Sequence, residues 1–99
     1  MPDQILKRTK IKKSNIAKFY IFYNDFGTKD QVFKFSNSIN EIGLNNNCSM
    51  KNGSKILLLS DSKDANHPII GPLKVNLVLS LNPIDKQIMW IPSVSIKEI

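Results

Sequence analysis

The sequence predicts an all-β fold, a small antiparallel six-stranded barrel that follows a basic, flexible N-terminal arm. Apolar and polar residues alternate along residues 73–82, other short apolar runs are separated by turn-forming residues, and no segment shows a convincing helical period. A chain of 99 residues is long enough for one hydrophobic core and too short for two. We therefore expect an arm over residues 1–15 and a single barrel domain over residues 16–99.

Aromatic and β-branched runs predict the first strands. Residues 16–24 are rich in such side chains, residues 25–30 turn the chain, and residues 31–36 run back beside the first strand as a hairpin. A short third strand is expected to begin near Ile42 and to end at the asparagines of residues 45–47.

The turn dipeptide Asn52-Gly53 leads into the apolar run of residues 55–60, which we expect to be a central strand. Residues 61–72 contain prolines, a glycine and acidic residues and are predicted to form the longest loop.

Residues 73–82 then form the strand around which the rest of the sheet is organised. Its buried face is predicted to consist of Val75, Leu77, Leu79 and Leu81. Residues 87–91 are expected to pair back against this strand, Pro92 to interrupt the pairing, and residues 94–99 to close the fold.

Positive charge is concentrated in the arm. The chain has a net charge of +6, and residues 1–18 carry six basic residues against the single acid Asp3, while the remainder is close to neutral. Such an arm suits a negatively charged partner, namely a phosphate ligand, a nucleic-acid backbone or an acidic protein surface. A solvated leader without a partner is the alternative interpretation.

The sequence offers little support for an enzyme. His67, the single histidine, lies in the predicted loop and is expected to be solvated, and no nucleotide-binding or hydrolase motif is present. Cys48 is the only cysteine, so neither a disulfide nor a cysteine-based zinc site is expected. With no apolar run long enough to span a bilayer and no signal sequence, we expect a cytoplasmic protein that binds no cofactor or metal and does not insert into membranes.

Four aromatic residues near the first strand leave two interpretations open. Phe19, Tyr20, Phe22 and Tyr23 follow Lys18 and could stack on bases, as in nucleic-acid-binding barrels of the OB or SH3-like type. In a chain this short, at least half of these rings are expected to face inward and to form core.

The order of basic leader, two strands, polar bend, Asn-Gly-Ser turn and apolar strand resembles the PilZ domain, a six-stranded barrel that commonly binds cyclic di-GMP. The family has an Arg-x-x-x-Arg pair in its leader and an Asp/Asn-x-Ser-x-x-Gly motif after its second strand. Arg8-Thr9-Lys10-Ile11-Lys12 corresponds to the first motif here, and Ser38-Ile39-Asn40-Glu41-Ile42-Gly43 to the second.

The resemblance implies a small non-enzymatic binding or adaptor module that meets an anionic ligand, weakly bound cyclic di-GMP included, or a protein partner. Its ligand-binding residues would be Arg8, Lys12, Lys13, Ser38, Asn40 and Gly43. Only Arg8 and Gly43 retain the family's residue types. Because lysine lacks the paired hydrogen-bond geometry of arginine, the resemblance implies weakened nucleotide binding. A nucleic-acid-binding OB or SH3-like barrel is the alternative function.

Overall fold

A computed structural model of the chain describes residues 16–81 and 86–99, and this part of the protein is all-β, as predicted. Besides the strands it contains two short 3-10 turns, Ile39–Glu41 and Ser93–Ser95. The strands are β1 (Phe19–Phe22), β2 (Val32–Phe35), β3 (Cys48–Lys51), β4 (Lys55–Leu58), β5 (Lys63–His67), β6 (Gly71–Ser80), β7 (Ile88–Pro92) and β8 (Ile96–Lys97). Six of them form a strongly curled antiparallel half-barrel, and β2 and β3 form a separate hairpin.

The long strand β6 organises the larger sheet, because it pairs with three other strands. Val75 lies opposite both Lys63 of β5 and Pro92 of β7, so β5 and β7 occupy opposite edges of β6. β4 shares the edge of β5, where Leu58 lies opposite Val78. β1 follows beyond β4, and β8 beyond β1. The strand predicted from residues 55–60 is therefore central.

The predicted hairpin between the first two strands is wrong. β1 pairs with β4 and β8, whereas β2 pairs with β3. The connection carries the chain from one sheet to the other, and the rings of Phe33 and Phe35 meet Phe22 edge-on at centroid distances of 5.8 and 5.4 Å. Edge-to-face aromatic pairs are favourable beyond the area they bury. β2 thus packs across the face of β1 instead of hydrogen-bonding beside it.

The principal core lies between the half-barrel and the β2–β3 hairpin. Its buried side chains come from both sheets, and Phe33 and Phe35 pack against them. They are Tyr20, Phe22, Cys48, Met50, Ile56, Leu58, Val78, Met89, Ile91 and Ile96.

The predicted buried face of β6 is wrong in part. Val78 belongs to the principal core, and Asn76 and Ser80 on the same face are also buried, while Leu77, Leu79 and Leu81 are only half-buried. The prediction assumed that the polar residues of the alternation face water. On the opposite face Val75 is buried in a second, smaller core. This second core contains Ile42, Ala65 and Val75, with Ile39, Leu73 and Trp90 packed against them.

Buried hydrogen bonds explain why a polar residue can occupy the core face of β6. Asn76 Nδ2 donates to the carbonyl oxygen of Ser60 at 3.0 Å, and its Oδ1 accepts from the hydroxyls of Ser62 and Ser93. Ser60 Oγ in turn accepts from the backbone N–H of Leu77 at 2.9 Å. Because buried polar groups are costly only when unpaired, this network compensates the burial and fixes the interruption between β4 and β5.

Two further segments differ from prediction. The third strand expected near Ile42 is a 3-10 turn and bend, since Ile39 and Ile42 pack into the second core, and β3 begins only after the asparagines. The loop predicted over residues 61–72 contains β5 and the start of β6, joined by a turn over residues 68–70. β5 escaped detection because Ala65 is its only buried apolar side chain. β7 pairs back against β6 as predicted and ends at Pro92.

The Asn52-Gly53 turn is present as predicted, and Asn52 also ties down the connection between β1 and β2. Its buried side chain accepts from the N–H of Asn24 at 2.7 Å and donates to the carbonyls of Asn24 and Thr28, each at 3.1 Å. Gly53 has φ +89°, a conformation that favours glycine.

Candidate functional site

The predicted site residues are only partly brought together. Ser38 is half-buried, and its backbone exchanges hydrogen bonds with the hydroxyl of Ser36. Asn40 is exposed and lines a polar depression beside β5. Gly43 lines a different cleft. Arg8, Lys12 and Lys13 lie outside the described residues.

Gly43 is required by its surroundings. Its φ is +79°, and a Cβ atom there would lie 2.7 Å from Cδ2 and Nε2 of His67 and 2.7 Å from Cδ of Pro68. Any larger residue would be strained in its backbone and would displace the imidazole. The glycine of the second motif therefore lets the bend after β2 close against the end of β5.

The cleft beside this contact, which we name the Gly43 cleft, has a volume of about 200 Å³. Its walls are the bend after β2, the turn between β5 and β6, and β7. The lining residues with polar or aromatic side chains include Asn24, Lys34, Asn46, His67 and Trp90. A mostly apolar cleft with a few polar groups has the lining of a small-ligand site, but its volume is below the usual range of about 300–1,000 Å³, so a large ligand would extend beyond it.

His67 is half-buried at the end of β5, not solvated in a loop as expected. Its Nδ1 accepts the backbone N–H groups of Ile69 at 3.1 Å and Ile70 at 3.2 Å, so the side chain caps the turn between β5 and β6. With Nδ1 used as an acceptor, the neutral imidazole carries its proton on Nε2. His67 can therefore offer a ligand a hydrogen-bond donor.

Asn24 and Lys34 add donors of the same kind. Asn24 Oδ1 accepts the N–H of Phe26 at 2.9 Å, and the amide Nδ2 of the same side chain is a donor. Lys34 is exposed on β2 and forms no ion pair with any residue in ranges 16–81 and 86–99. His67 Nε2, Asn24 Nδ2 and the Lys34 ammonium are donors, and the ammonium is a cation, so the Gly43 cleft has groups that can bind an anionic, acceptor-rich ligand.

The aromatic run divides between core and surface. Tyr20 and Phe22 are buried, Tyr23 is half-buried, and Phe19 is exposed on the outer face of the sheet with Lys55 Nζ 5.2 Å from its ring centroid. The expectation that at least half of these rings face inward is met by Tyr20 and Phe22. Phe19 is the exposed ring of this run on which a base could stack. Its neighbours across the sheet are leucines, not aromatic residues, since Leu57 lies opposite Phe19 and Leu79 lies opposite Leu57.

Lys34, Asn24 and Trp90 were not recognised as site residues from the sequence. Lys34 is one of many lysines in the sequence, and the pattern around Trp90 predicts a strand but no binding role. The signal that could have identified His67 is its position directly before Pro68 and the turn, where a side-chain acceptor can bond the N–H groups two and three residues later.

Two features are absent from the described part of the chain. No helix there has the length and hydropathy needed to cross a bilayer. No group of three or more His, Cys, Asp or Glu side chains gathers there to hold a metal ion.

Comparisons of the chain with protein-family models, with curated proteins and with solved structures find no match.

Proposed function

We propose that the protein is a small PilZ-like binding module that takes an anionic ligand in the Gly43 cleft. The observation that carries the proposal is the chemistry of the cleft: His67 Nε2 and Asn24 Nδ2 are donors, and Lys34 adds a positive charge. Cyclic di-GMP, which has two phosphates and planar bases, is the ligand that the PilZ resemblance implies. The indole of Trp90 in the cleft wall suits a planar group.

Gly43 supports the same location, because it is the residue of the second motif that keeps the family's type and it lines this cleft. Asn40 lines a separate depression and Ser38 does not line the Gly43 cleft, so contributions from them are a weaker part of the proposal. We propose that Arg8, Lys12 and Lys13 of the arm supply further positive charge to the ligand.

The hydrogen bonds that His67 already accepts favour a binding function over a catalytic one. Its Nδ1 already accepts two backbone N–H groups, so taking a proton there would release the turn between β5 and β6. A residue with that structural duty is a poor general base. A cytoplasmic location remains part of the proposal and is supported by the lone Cys48, which is buried.

The test is a titration of the full chain with cyclic di-GMP, followed by amide chemical shifts. We expect saturable shifts at Gly43, His67 and Lys34. Lys34→Ala should weaken binding about tenfold, within the range for a charge-assisted hydrogen bond, and Lys29→Ala should not, because Lys29 is an exposed lysine that does not line the cleft. Shifts confined to other surfaces, or binding unchanged in Lys34→Ala, would refute the cleft as the site.

Arg8→Lys asks whether the arm acts by charge or by geometry. If charge alone matters, the variant should bind like the wild type and affinity should fall steeply with added salt. If Arg8 makes paired hydrogen bonds, its replacement should cost about 1–3 kcal/mol, while Lys10→Ala costs little. Because Lys12, Ser38 and Asn40 depart from the family pattern, we expect weak, salt-sensitive binding.

Nucleic-acid binding is a second candidate function, favoured by the exposed ring of Phe19 beneath Lys55. A single-stranded oligonucleotide should then shift the amides of Phe19 and Lys55 and spare Gly43. Phe19→Ala should weaken that binding by about 1–3 kcal/mol, the usual value of one stacked base.

A further inference from the structure

The turn between β3 and β4 contains a chemically reactive dipeptide that the proposed function does not use. Asn52 is the only asparagine in the chain that is followed by a glycine. Because glycine has no side chain to hinder its backbone nitrogen, an Asn-Gly pair is the sequence in which that nitrogen most easily attacks the asparagine side chain. The attack leads to deamidation, a covalent change of the chain that needs no enzyme.

The reaction needs only the chain and water. The backbone nitrogen of Gly53 gives up its proton and bonds to Cγ of Asn52, while the Cγ–Nδ2 bond breaks and Nδ2 leaves as ammonia with that proton. Water then opens the cyclic imide at one of its two carbonyl carbons. Hydrolysis at Cγ gives aspartate, and hydrolysis at the backbone carbonyl gives isoaspartate, in which the main chain runs through Cγ.

The folded structure engages both reacting groups in other bonds. The Asn52 side chain is 3% exposed; its Oδ1 accepts the N–H of Asn24 at 2.7 Å, and its Nδ2 donates to the carbonyls of Asn24 and Thr28. The N–H of the nucleophile, Gly53, donates to the carbonyl of Phe22 at 2.8 Å. Ring closure therefore requires the turn to detach from β1 and from the connection that follows β1.

Either product would oppose closure of the turn. A carboxylate carries no N–H, so the carbonyl oxygens of Asn24 and Thr28 would lose their donor and would face a buried negative charge. Isoaspartate lengthens the main chain at the position where the N–H of Gly53 bonds to Phe22 and the N–H of Ser54 bonds to the preceding strand. The hydrogen bonds that hold the turn in place could not all form again.

We propose that Asn52 is a deamidation site that the fold protects and that opening of the β3–β4 turn exposes, so that a chain whose turn has opened for long enough is altered irreversibly. Local opening of this kind is a property of folded proteins, in which turns detach more often than the whole chain unfolds. The proposal does not depend on ligand binding in the Gly43 cleft, because neither Asn52 nor Gly53 lines that cleft.

The experiment incubates the full chain at mildly alkaline pH, with and without enough urea to unfold it, and follows by mass spectrometry the peptide that contains residue 52. We expect deamidation in the folded chain to be about a hundredfold slower, because three hydrogen bonds of Asn52 must break first and each is worth roughly a fivefold change in equilibrium. Gly53→Ala is the matched control, since its methyl group should slow the reaction in urea severalfold.

Asn52→Asp carries the aspartate product and tests the second part of the proposal. The ratio of unfolded to folded chain at a given urea concentration should rise about tenfold or more, because buried carbonyls lose their donor. Asn66→Asp is the matched control, since Asn66 is exposed on β5.

Three results would overturn the proposal. Equal deamidation rates at residue 52 in the folded and the unfolded chain would show that the fold gives no protection. An absence of deamidation there in urea, or an unchanged rate in Gly53→Ala, would show that the dipeptide is not the site. An Asn52→Asp protein as stable as Asn66→Asp would show that the aspartate product does not prevent closure of the turn.

Discussion

Leu57 and Leu58 are adjacent leucines on β4 that point to opposite faces of the sheet. Leu58 is 0% exposed and lies opposite Val78 in the principal core, whereas Leu57 is half-buried opposite Leu79. Leu58→Ala should lower the free energy of unfolding by about 3–5 kcal/mol, because a fully enclosed site cannot collapse around the lost atoms. Leu57→Ala should cost about 1 kcal/mol, since part of the side chain already meets water.

The two variants are compared with the wild type by urea unfolding, with circular dichroism as the probe. The slope of the free energy against urea should be the same for all three proteins, so that the midpoints report stability alone. A difference of about 2 kcal/mol or more between the variants corresponds to a gap in Tm of about 10 °C for a domain of this size. Equal losses would show that the two faces of β4 are equally buried, and a larger loss at Leu57 would show that the core lies on the other face.

Three further predictions concern polar and glycine positions. Asn76→Ala should cost about 2–4 kcal/mol in unfolding free energy, because it leaves buried partners unpaired, whereas Asn66→Ala at an exposed position of β5 should be nearly silent. Asn52→Ala should lower the free energy of unfolding by about 1–3 kcal/mol and should raise the hydrogen-exchange rate of the Asn24 amide, which loses its acceptor. An unchanged exchange rate at Asn24 would contradict the role of Asn52. Gly53→Ala should cost about 1–2 kcal/mol purely through its positive φ, as nothing lies within 4 Å of the added methyl; a stability equal to wild type in thermal unfolding would contradict this.

The fold class could be predicted from the sequence because strand signals are local. Alternation along β6, the apolar run of β4 and the Asn52-Gly53 turn each depend on neighbouring residues, and the two strands and the turn are found where they are predicted. Strand partners are different, because they are chosen by long-range packing. The aromatic residues of β2 would suit a hairpin with β1 equally well, and only the edge-on contacts with Phe22 place them in a second sheet.

The buried face of β6 was mispredicted for a related reason. Hydrophobic alternation identifies one apolar face, but it does not detect polar side chains whose hydrogen bonds are satisfied inside the protein. Asn76 is buried because Ser60, Ser62 and Ser93 supply its partners from segments 14 to 17 residues away in sequence. No local pattern contains that information.

In the candidate site, too, local features could be predicted from the sequence and long-range contacts could not. The motif comparison selected Gly43, whose backbone requirement is a local property, and it is Gly43 that lines the cleft. The donors of the cleft come from β2, from the β1–β2 connection and from the end of β5, so only the folded chain collects them. The sequence predicts a loop at His67 because β5 contains too few apolar residues to show a strand pattern.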